Sequence, residues 1–310
     1  MTRVNSQLLD FSISISYTFR MLSYQHEYHF GNHADIIKHL TLTLILSHLN
    51  EKDKPYSIID AHAGAGRYHI ADEKNAMTGE FERGISLLLS HLTRSEHICK
   101  TYFEICKCYM AKNFYPGSPE IERCMARAGD KITLMELHPQ EIIKLKDNMK
   151  LPVLYGEQKR EHISIHCRNS YEGVIALMTP EPKRGVLLLD PSYEETSDYE
   201  NVAKIALEMN KRWNTGIVAI WYPLLVHRKA EIARIKAAAT NCVQKGSDRK
   251  VLYAEMCVQD ENDTAQPRLY GSGMIVINPP WKLQEELSSS LPKIAKTLSN
   301  DYGKAEIDVL

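Results

Sequence analysis

The sequence lacks the features that mark several classes of protein. Its seven cysteines include no paired Cys-x-x-Cys motif, so neither a disulfide framework nor a zinc ribbon is predicted, and a reducing cytoplasm is the expected location. The longest apolar stretch, residues 40–49, is about half of the ~20 residues that a membrane span needs. The 38 lysines and arginines nearly equal the 39 aspartates and glutamates, which excludes binding of nucleic acid by bulk charge alone.

The sequence predicts strands and helices that alternate regularly along the chain. The predicted elements are helix 32–50, strand 56–61, strand 131–137, helix 139–149, strand 162–167, helix 170–179, strand 185–190, helix 198–212, strand 215–221 and helix 226–240. Such alternation predicts an α/β fold with a mostly parallel sheet. Two final strands, 251–258 and 273–277, have no helix between them and are expected to close one edge as an antiparallel pair. Residues 1–20 are unlike the rest and are interpreted as an extension read from an upstream start codon.

A helical insertion separates the first two strands. In nucleotide-binding α/β units an acidic residue usually follows the first turn by ~20 residues, whereas the next acidic strand end here is Glu136. Apolar residues at helical spacing mark two amphipathic helices between them: Phe81, Ile85, Leu88, Leu89 and Leu92 in one, and Ile98, Tyr102, Ile105 and Tyr109 in the other. We therefore predict an inserted helical subdomain at 71–115, with the main domain formed by 21–70 and 116–310.

A glycine turn follows the first strand, in the segment Asp60-Ala-His62-Ala-Gly64-Ala-Gly66. Glycines at this place let the backbone approach a ligand closely and leave amide groups to face it. A dinucleotide fingerprint would need a third glycine where His69 stands, and the lysine of a P-loop is absent. A nucleoside ligand without a pyrophosphate is thus favoured over a nicotinamide cofactor; the structural alternative is a tight turn that serves only the fold.

The strand ending in Asp190-Pro191-Ser192-Tyr193 carries the second candidate site. An exocyclic amine on a base is a poor nucleophile, because its lone pair is delocalised into the ring. The Asp190 carboxylate and the Pro191 carbonyl, aimed at the amine hydrogens, would favour the pyramidal nitrogen of the transition state. Tyr193 would stack on a base extruded from its strand. The structural alternative is a turn with an incidental tyrosine.

Asn278-Pro279-Pro280-Trp281 resembles this motif but follows the last of the predicted strands. Asp190 closes the fourth strand counted from the glycine turn, which is where a ligand is expected in a parallel sheet. The later motif is therefore interpreted as structural.

Three further groups of residues have both a structural and a functional interpretation. Ser118 is expected to be a helix N-cap, with proline after it, whether or not it also contacts a ligand. One interpretation of Glu136 is that it merely stands at the end of a strand. Because a glycine turn precedes it in the chain, ribose binding is the favoured interpretation. Four histidines have neither the paired spacing of a zinc site nor an accompanying cysteine pair, so no metal is predicted: His26, His29, His33 and His39.

Taken together, these motifs resemble the ribosomal large-subunit RNA methyltransferase J family, whose activity is S-adenosylmethionine-dependent N6-methylation of an adenine in 23S rRNA. The resemblance extends from Met21 to about Leu283. The segments that carry it are 24–39, 60–68, 115–119, 136–139, 190–193, 221–223 and 271–283. It implies a Rossmann-like class I methyltransferase fold with a small inserted helical subdomain, S-adenosyl-L-methionine as cofactor, and 23S rRNA, naked or in an assembling large subunit, as partner of a monomeric enzyme.

The resemblance also assigns roles by position. The residues implied at the cofactor site, together with the glycines of the turn, are Lys38, His39, His62, Gly64, Gly66, Ser118, Glu136, Asn169 and Ser170. Asp190 is the implied catalytic acceptor, with Pro191 and Tyr193 beside it, and Tyr24 is expected to meet the RNA. Two positions depart from the family pattern: Ser192 replaces a proline, and Asn169 replaces an acidic residue near the cofactor adenine, although its amide oxygen can still accept from an amino group.

Two other functions remain open at this point. Asp-Pro-x-Tyr motifs also serve DNA adenine N6-methyltransferases. Relatives have also been associated with competence and the catabolism of external DNA, and Ser192 would suit a nucleic-acid-handling protein that has lost turnover. Whatever the nucleic acid, local cations must hold it. The candidates are Lys38, Lys52, Lys54 and Arg67, expected near the glycine turn, and the run Lys159-Arg160. So few cations predict a modest dependence of binding on salt.

Overall fold

The computed structural model describes residues 26–71, 77–91, 99–157, 162–243, 249–262 and 269–310. The extension 1–20, Tyr24 and the run Lys159-Arg160 lie outside these ranges, as do the helix markers Leu92 and Ile98. No helix within the described ranges is long and apolar enough to cross a membrane.

An eight-stranded sheet forms the centre of the molecule. Its strands are β1 Ser57–Asp60, β4 Lys131–Glu136, β5 His162–Cys167, β6 Gly185–Leu189, β7 Ile217–Leu225, β8 Val251–Cys257, β9 Leu269–Ile277 and β10 Lys304–Val309. They lie in the order β10-β8-β9-β7-β6-β1-β4-β5. Strands β5, β4, β1, β6 and β7 are parallel, and β9 runs antiparallel to both β7 and β8. The predicted α/β class with a mostly parallel sheet is confirmed.

Nine α-helices pack around this sheet in the described part of the chain. They are α1 His33–Asn50, α2 Leu87–His91, α3 Lys100–Met110, α4 Ser118–Met125, α5 Pro139–Asn148, α6 Ser170–Ala176, α7 Thr196–Arg212, α8 Lys229–Thr240 and α9 Leu283–Leu298. Helix α1 contacts α4, α9 and β9, whereas α7 contacts α6 and α8. Asn32 caps α1 by accepting from the N–H groups of Ala34 and Asp35. The site described below depends on this well-capped start, because α1 carries Lys38 and His39.

The carboxyl-terminal end of the fold differs from the prediction. Strands β8 and β9 do pair antiparallel, but β9 lies inside the sheet and β10 forms the edge. Helix α9 and strand β10 were not predicted. Strand β10 pairs only with β8 and alternates between exposed and half-buried residues. The alternation of Ala305, Ile307 and Val309 with charged residues is the pattern of a half-buried strand and was the overlooked signal.

The predicted insertion is continuous with the rest of the core. Its apolar residues Phe81, Ile85, Tyr102 and Tyr109 are buried in the same hydrophobic cluster as the sheet. A short antiparallel ladder not foreseen from the sequence, β2 Arg67–His69 with β3 Phe114–Pro116, joins its two ends. The domain limits 71–115, 21–70 and 116–310 stay a prediction.

Candidate functional site

Four adjacent strands place polar residues at one edge of the sheet. Asp60 ends β1, Glu136 ends β4, Asn169 follows β5 and Asp190 follows β6, and these strands lie side by side in the order β6-β1-β4-β5. Carboxyl ends of parallel strands are where open α/β sheets bind ligands. A cavity of about 640 Å³ opens there. The predicted residues that line it are Lys38, His39, His62, Gly64, Ser118, Glu136, Asn169, Ser170, Asp190 and Pro191.

The glycine turn and Glu136 are held together by hydrogen bonds. The Gly64 N–H donates to Glu136 Oε2 (2.8 Å), and the His138 N–H donates to Oε1 (2.7 Å). Gly64 has φ +58°, and a Cβ there would overlap the Tyr68 hydroxyl, so only glycine fits. Each Glu136 oxygen keeps a second lone pair that can accept from a ligand hydroxyl. Gly66 does not line the cavity, since its missing side chain makes room for Met149 and Leu145; its predicted cofactor contact is corrected to a packing role.

Ser118 is the first residue of α4, and the prediction that it is the N-cap is wrong. Gly117 occupies the cap position in extended backbone and makes no side-chain cap. The Ser118 hydroxyl donates instead to Asp60 Oδ2 (2.7 Å), and the His62 N–H donates to Oδ1 (3.0 Å). Burial raises the pKa of Asp60 to about 6, although both hydrogen bonds oppose the shift. Ser118 therefore links helix α4 to the end of β1.

His62 connects the glycine turn to the Asp190 segment. The Asp190 N–H donates to His62 Nδ1 (3.2 Å), and His62 Nε2 lies 2.8 Å from Ser170 Oγ. Burial lowers the pKa of His62 to about 3, so the ring is neutral. Since Nδ1 accepts, the proton is on Nε2 and is donated to Ser170. Asn169 Oδ1 caps α6 by accepting from the Tyr171 N–H (2.9 Å), which leaves that oxygen one lone pair for a ligand.

Asp190 forms part of a charged cluster with two residues of α1. The Lys38 ammonium donates to Asp190 Oδ2 and lies 2.9 Å from Asp35 Oδ1. Burial lowers the pKa of Lys38, but the two carboxylates outweigh it and the net shift is upward. Burial likewise raises the pKa of Asp190, against the opposing charge of Lys38. His39, on the next turn, lies 3.0 Å from the Tyr115 hydroxyl and is neutral, because burial lowers its pKa to about 3.

Tyr193 does not face the cavity, which corrects the prediction that its ring is presented to a base. The ring is 3% exposed and packs 4.5 Å from Tyr199 between ring centroids. Its hydroxyl donates to the Trp221 carbonyl (2.8 Å), so the buried polar end is satisfied where it is. Trp221 itself lines the cavity, and among the residues described its Nε1–H has no partner. Trp221 therefore offers an aromatic surface there, as do Tyr68 and Tyr171.

The second motif, Asn278 to Trp281, lies at the opposite edge of the sheet. Strand β9 runs antiparallel to β7, so its carboxyl end meets the amino end of β7. The Asn278 amide donates to the carbonyls of Asn214 and Gly216 (3.1 and 2.8 Å), which precede β7. The structural interpretation of this motif is confirmed.

Of the predicted RNA-binding cations, Lys38 and Arg67 lie near the glycine turn but are already paired, and Lys52 and Lys54 do not lie there. Arg67 is 6% exposed and paired with Glu120 (3.1 Å), and Lys38 is paired with Asp190. Lys52 and Lys54 are exposed but precede β1, so they lie at the edge opposite the glycine turn. The strand direction decides this: residues that enter a parallel strand are separated from its ligand-binding end by the length of the strand.

Several lining residues were not predicted from the sequence. Glu80 and Arg83, from the insertion, line the cavity, and Glu80 accepts from the Asn32 amide (2.8 Å) and lies 3.0 Å from His29 Nδ1. Acidic side chains outnumber basic ones in the lining: Asp35, Glu80, Glu136, Glu141, Asp190, Glu194, Glu195 and Asp198 against Lys38, Arg83 and Arg168. Within the described ranges no group of three or more His, Cys, Asp or Glu could hold a metal ion.

Sequence comparison identifies a family that matches most of the chain. Residues 53–310 match the model described as ribosomal RNA large subunit methyltransferase D, RlmJ. The chain is 37% identical over 281 residues to the ribosomal RNA large subunit methyltransferase J of Haemophilus influenzae, covering 90% of this chain and 94% of that protein. Identity to the protein of the same name from Escherichia coli is 36% over 276 residues, covering 88% and 92%.

Structural comparison identifies the same architecture in a solved protein. A crystal structure from Legionella pneumophila superposes with a TM-score of 0.78 at 27% sequence identity. The match covers 90% of this chain and 98% of that one, so the two proteins share the fold over nearly their whole length.

Proposed function

Because the chain belongs to the RlmJ family of ribosomal RNA large subunit methyltransferases, we propose that its cavity binds S-adenosylmethionine beside an adenine of 23S rRNA, with Asp190 as the acceptor for the adenine N6 amine. Adenine methylation of 23S rRNA with S-adenosylmethionine is the activity of this family. The observation that carries the assignment of roles is the position of Asp190 on β6, next to the glycine turn of β1 and in the same cavity as Glu136.

The chemistry of the lining fits this cofactor. Glu136 has lone pairs left for the ribose hydroxyls, and the Gly64 backbone, without a side chain, allows the ligand to approach the turn. Asn169 and Ser170 offer an amide and a hydroxyl on the next strand end. The excess of acidic side chains favours a ligand with net positive charge.

The protein's contribution to the reaction is acceptor placement. When bound, S-adenosylmethionine supplies a methyl group on a positively charged sulfur, and the leaving group is the neutral thioether. Asp190 and the Pro191 carbonyl would accept hydrogen bonds from the N6 amine and so direct its lone pair toward the methyl group that the cofactor would supply. The proton lost from N6 passes by way of the Asp190 carboxylate to solvent. Holding the cofactor and the base in one cavity lowers the activation free energy further, because the two reactants are already positioned.

The base and its strand are held by other parts of the site. Trp221 and Pro223 line the cavity and present apolar surface to a base, in the place foreseen for Tyr193. Arg83 and Arg168 are the lining cations besides the paired Lys38, and they suit the flanking phosphates. We also propose that Tyr24 contacts the RNA, as the resemblance implies. The enzyme acts as a monomer in the cytoplasm, on naked 23S rRNA or on an assembling large subunit, without a metal.

The experiment measures methyl transfer from labelled S-adenosylmethionine to unmodified 23S rRNA. Wild type is expected to label one adenine, and Asp190→Asn is expected to bind the cofactor in a calorimetric titration but to label at least ~100-fold more slowly. Equal rates for the two proteins would contradict the role of Asp190.

Two controls separate the alternatives. Adenine-containing DNA offered in competition is expected to remain unlabelled, and preferential labelling of DNA would identify a DNA methyltransferase. Asp130→Asn removes a carboxylate that is more deeply buried than Asp190 and lies at the opposite edge, where it accepts from the Tyr56 N–H (2.9 Å). Its labelling rate per folded molecule is expected to equal that of wild type.

A further inference from the structure

Asp35 lies at the centre of the charged cluster beside Asp190. It is 0% exposed and stands in the first turn of α1. Its Oδ2 accepts from the Gly31 N–H (2.8 Å) and lies 3.0 Å from His26 Nε2. Its Oδ1 faces the Lys38 ammonium (2.9 Å) and lies 3.7 Å from His39 Nε2. Donors from three different segments therefore fix the orientation of this carboxylate.

The Lys38 ammonium contacts two carboxylates, those of Asp35 and Asp190. Lys38 is three residues after Asp35 on the same helix face, and its side chain is 6% exposed. It contacts Oδ2 of Asp190. Among the described residues no hydrogen bond to Asp190 Oδ1 is formed, and Asp190 lines the cavity with its side chain 15% exposed. One oxygen of the acceptor is therefore occupied and the other faces the ligand space.

Without a second carboxylate this division would be lost. An ammonium has three N–H donors, and without a second carboxylate to hold it the Lys38 ammonium would be free to donate to either oxygen of Asp190, drawn by a Coulomb attraction that is strong in a medium of low dielectric constant. Lys38 would then compete with the N6 amine for the lone pairs of Asp190. The Asp35 carboxylate draws the ammonium toward α1 and limits it to one oxygen.

We propose that Asp35 is a positioning residue for methyl transfer: it holds the Lys38 ammonium on one oxygen of Asp190 and leaves the other for the amine of the base. The inference rests on the proposed function, because it presumes that Asp190 is the acceptor. Because Asp35 has no exposed surface, it acts through Lys38.

The proposal has a consequence for the titration of Asp190. The ionisable groups that face Asp190 are Lys38 and Asp35 from α1, His26 from the turn before it, and Asp60 and His62 from the end of β1. Burial raises the pKa of Asp190, Lys38 and His26 oppose this, and the charge of Asp35 adds to the rise. Removing the charge of Asp35 also frees Lys38 to pair fully with Asp190. Both effects lower the pKa of Asp190, so it stays ionised to lower pH.

The test is an NMR titration of the Asp190 carboxyl carbon in full-length protein labelled at aspartate, with the signal assigned through Asp190→Asn. In Asp35→Asn the midpoint is expected to fall by about one pH unit. The rate constant kcat is expected to fall roughly 10- to 100-fold with KM little changed, and the acid limb of the rate–pH profile should move down with the midpoint. Asp130→Asn is the matched control, and the Asp190 midpoint should be the same there as in wild type.

The outcomes separate this inference from the proposed function. An Asp190 midpoint that is unchanged or raised in Asp35→Asn overturns the inference, as does a rate lowered equally at every pH. A wild type that methylates nothing overturns the proposed function, while the NMR titration still tests the Asp35–Lys38–Asp190 coupling. If circular dichroism shows that Asp35→Asn does not fold, Asp35→Glu keeps the charge, and its Asp190 midpoint should match wild type; a midpoint displaced by a full unit overturns the inference.

Discussion

Glu136 and Asp60, the acidic residues at two of the strand ends, each accept two hydrogen bonds from the surrounding chain. Glu136 accepts two backbone N–H groups that shape the turns around it, and Asp60 accepts a backbone N–H and the Ser118 hydroxyl. Glu136 also lines the cavity, whereas Asp60 is fully buried behind it. A substitution of Glu136 therefore changes loop geometry as well as ligand contacts, and one of Asp60 acts through the loops alone.

Asp60 is expected to make the protein less stable as pH rises. Its folded pKa of about 6 exceeds the unfolded value, so the unfolded chain releases its proton first, and stability is lost between about pH 4 and pH 6. Asp60→Asn abolishes this loss. From pH 4.5 to pH 7.5 the stability of the variant relative to wild type should increase by about 2 kcal/mol, measured by urea unfolding at both values. A difference that stays constant with pH would contradict the assignment.

At the scale of elements, the insertion lines one side of the cavity. The Ile85 N–H donates to the Gly31 carbonyl (2.8 Å), and the Thr78 hydroxyl donates to the Tyr28 carbonyl (2.7 Å). The insertion thereby holds the loop that leads into α1, which carries Asp35 and Lys38. The insertion therefore contributes the cavity residues Glu80, Arg83 and Gly84 and also supports α1 through the loop before it.

Gly84→Ala tests this support. An added Cβ would overlap the Gly31 carbonyl, so the insertion must move away from the loop, with a loss of roughly 1–3 kcal/mol in unfolding free energy. Methylation per folded molecule is expected to fall as well. Gly129→Ala is the control, because Gly129 has φ +100° and would meet only Pro55 (3.9 Å). It should lose stability through its backbone and keep its activity; an equal loss of activity in both variants would argue against a specific role for the insertion.

At the scale of the whole molecule, charge is unevenly distributed. Acidic groups surround the cavity, whereas exposed Lys52 and Lys54 lie at the other edge. The RNA must therefore approach a site that attracts the cofactor and repels phosphates, and recognition depends on the extruded base more than on the backbone.

Binding of rRNA should accordingly depend weakly on salt. Proteins with 6–10 phosphate contacts lose about 10³–10⁵ in affinity between 50 and 200 mM salt, and a smaller loss is expected here. The paired substitution Lys52→Gln with Lys54→Gln should change affinity by less than about twofold, whereas Arg83→Gln should weaken it. Filter binding across this salt range measures both. A steep slope, or a large effect of the lysine pair, would place the RNA on the opposite edge.

The sequence predicts the ends of β1 and β6 more accurately than the contacts of the side chains around them. Periodicity and glycines were sufficient for the strand that ends at Asp60 and for the segment that begins at Asp190, because both signals are local. The cap at Gly117 and the burial of Tyr193 depend on contacts with residues distant in the chain, such as Asp60 and Trp221. The spacing of Asp35 and Lys38 on one helix face was the overlooked signal, since residues three apart on a helix can share an ion pair.

The position of β9 in the sheet governs the order in which this protein can assemble as it is synthesised. Helix α1 packs against β9 and α9, yet at roughly 5–20 residues per second the ribosome reaches β9 on the order of ten to forty seconds after α1. During that interval the helix that bears Asp35 and Lys38 contacts α4 and the insertion but lacks the part of its cover that β9 and α9 supply. The cavity thus gains its last lining residues, Leu269 and Leu298, only in the last quarter of the chain, and a nascent chain that stalls before β9 carries an incomplete site.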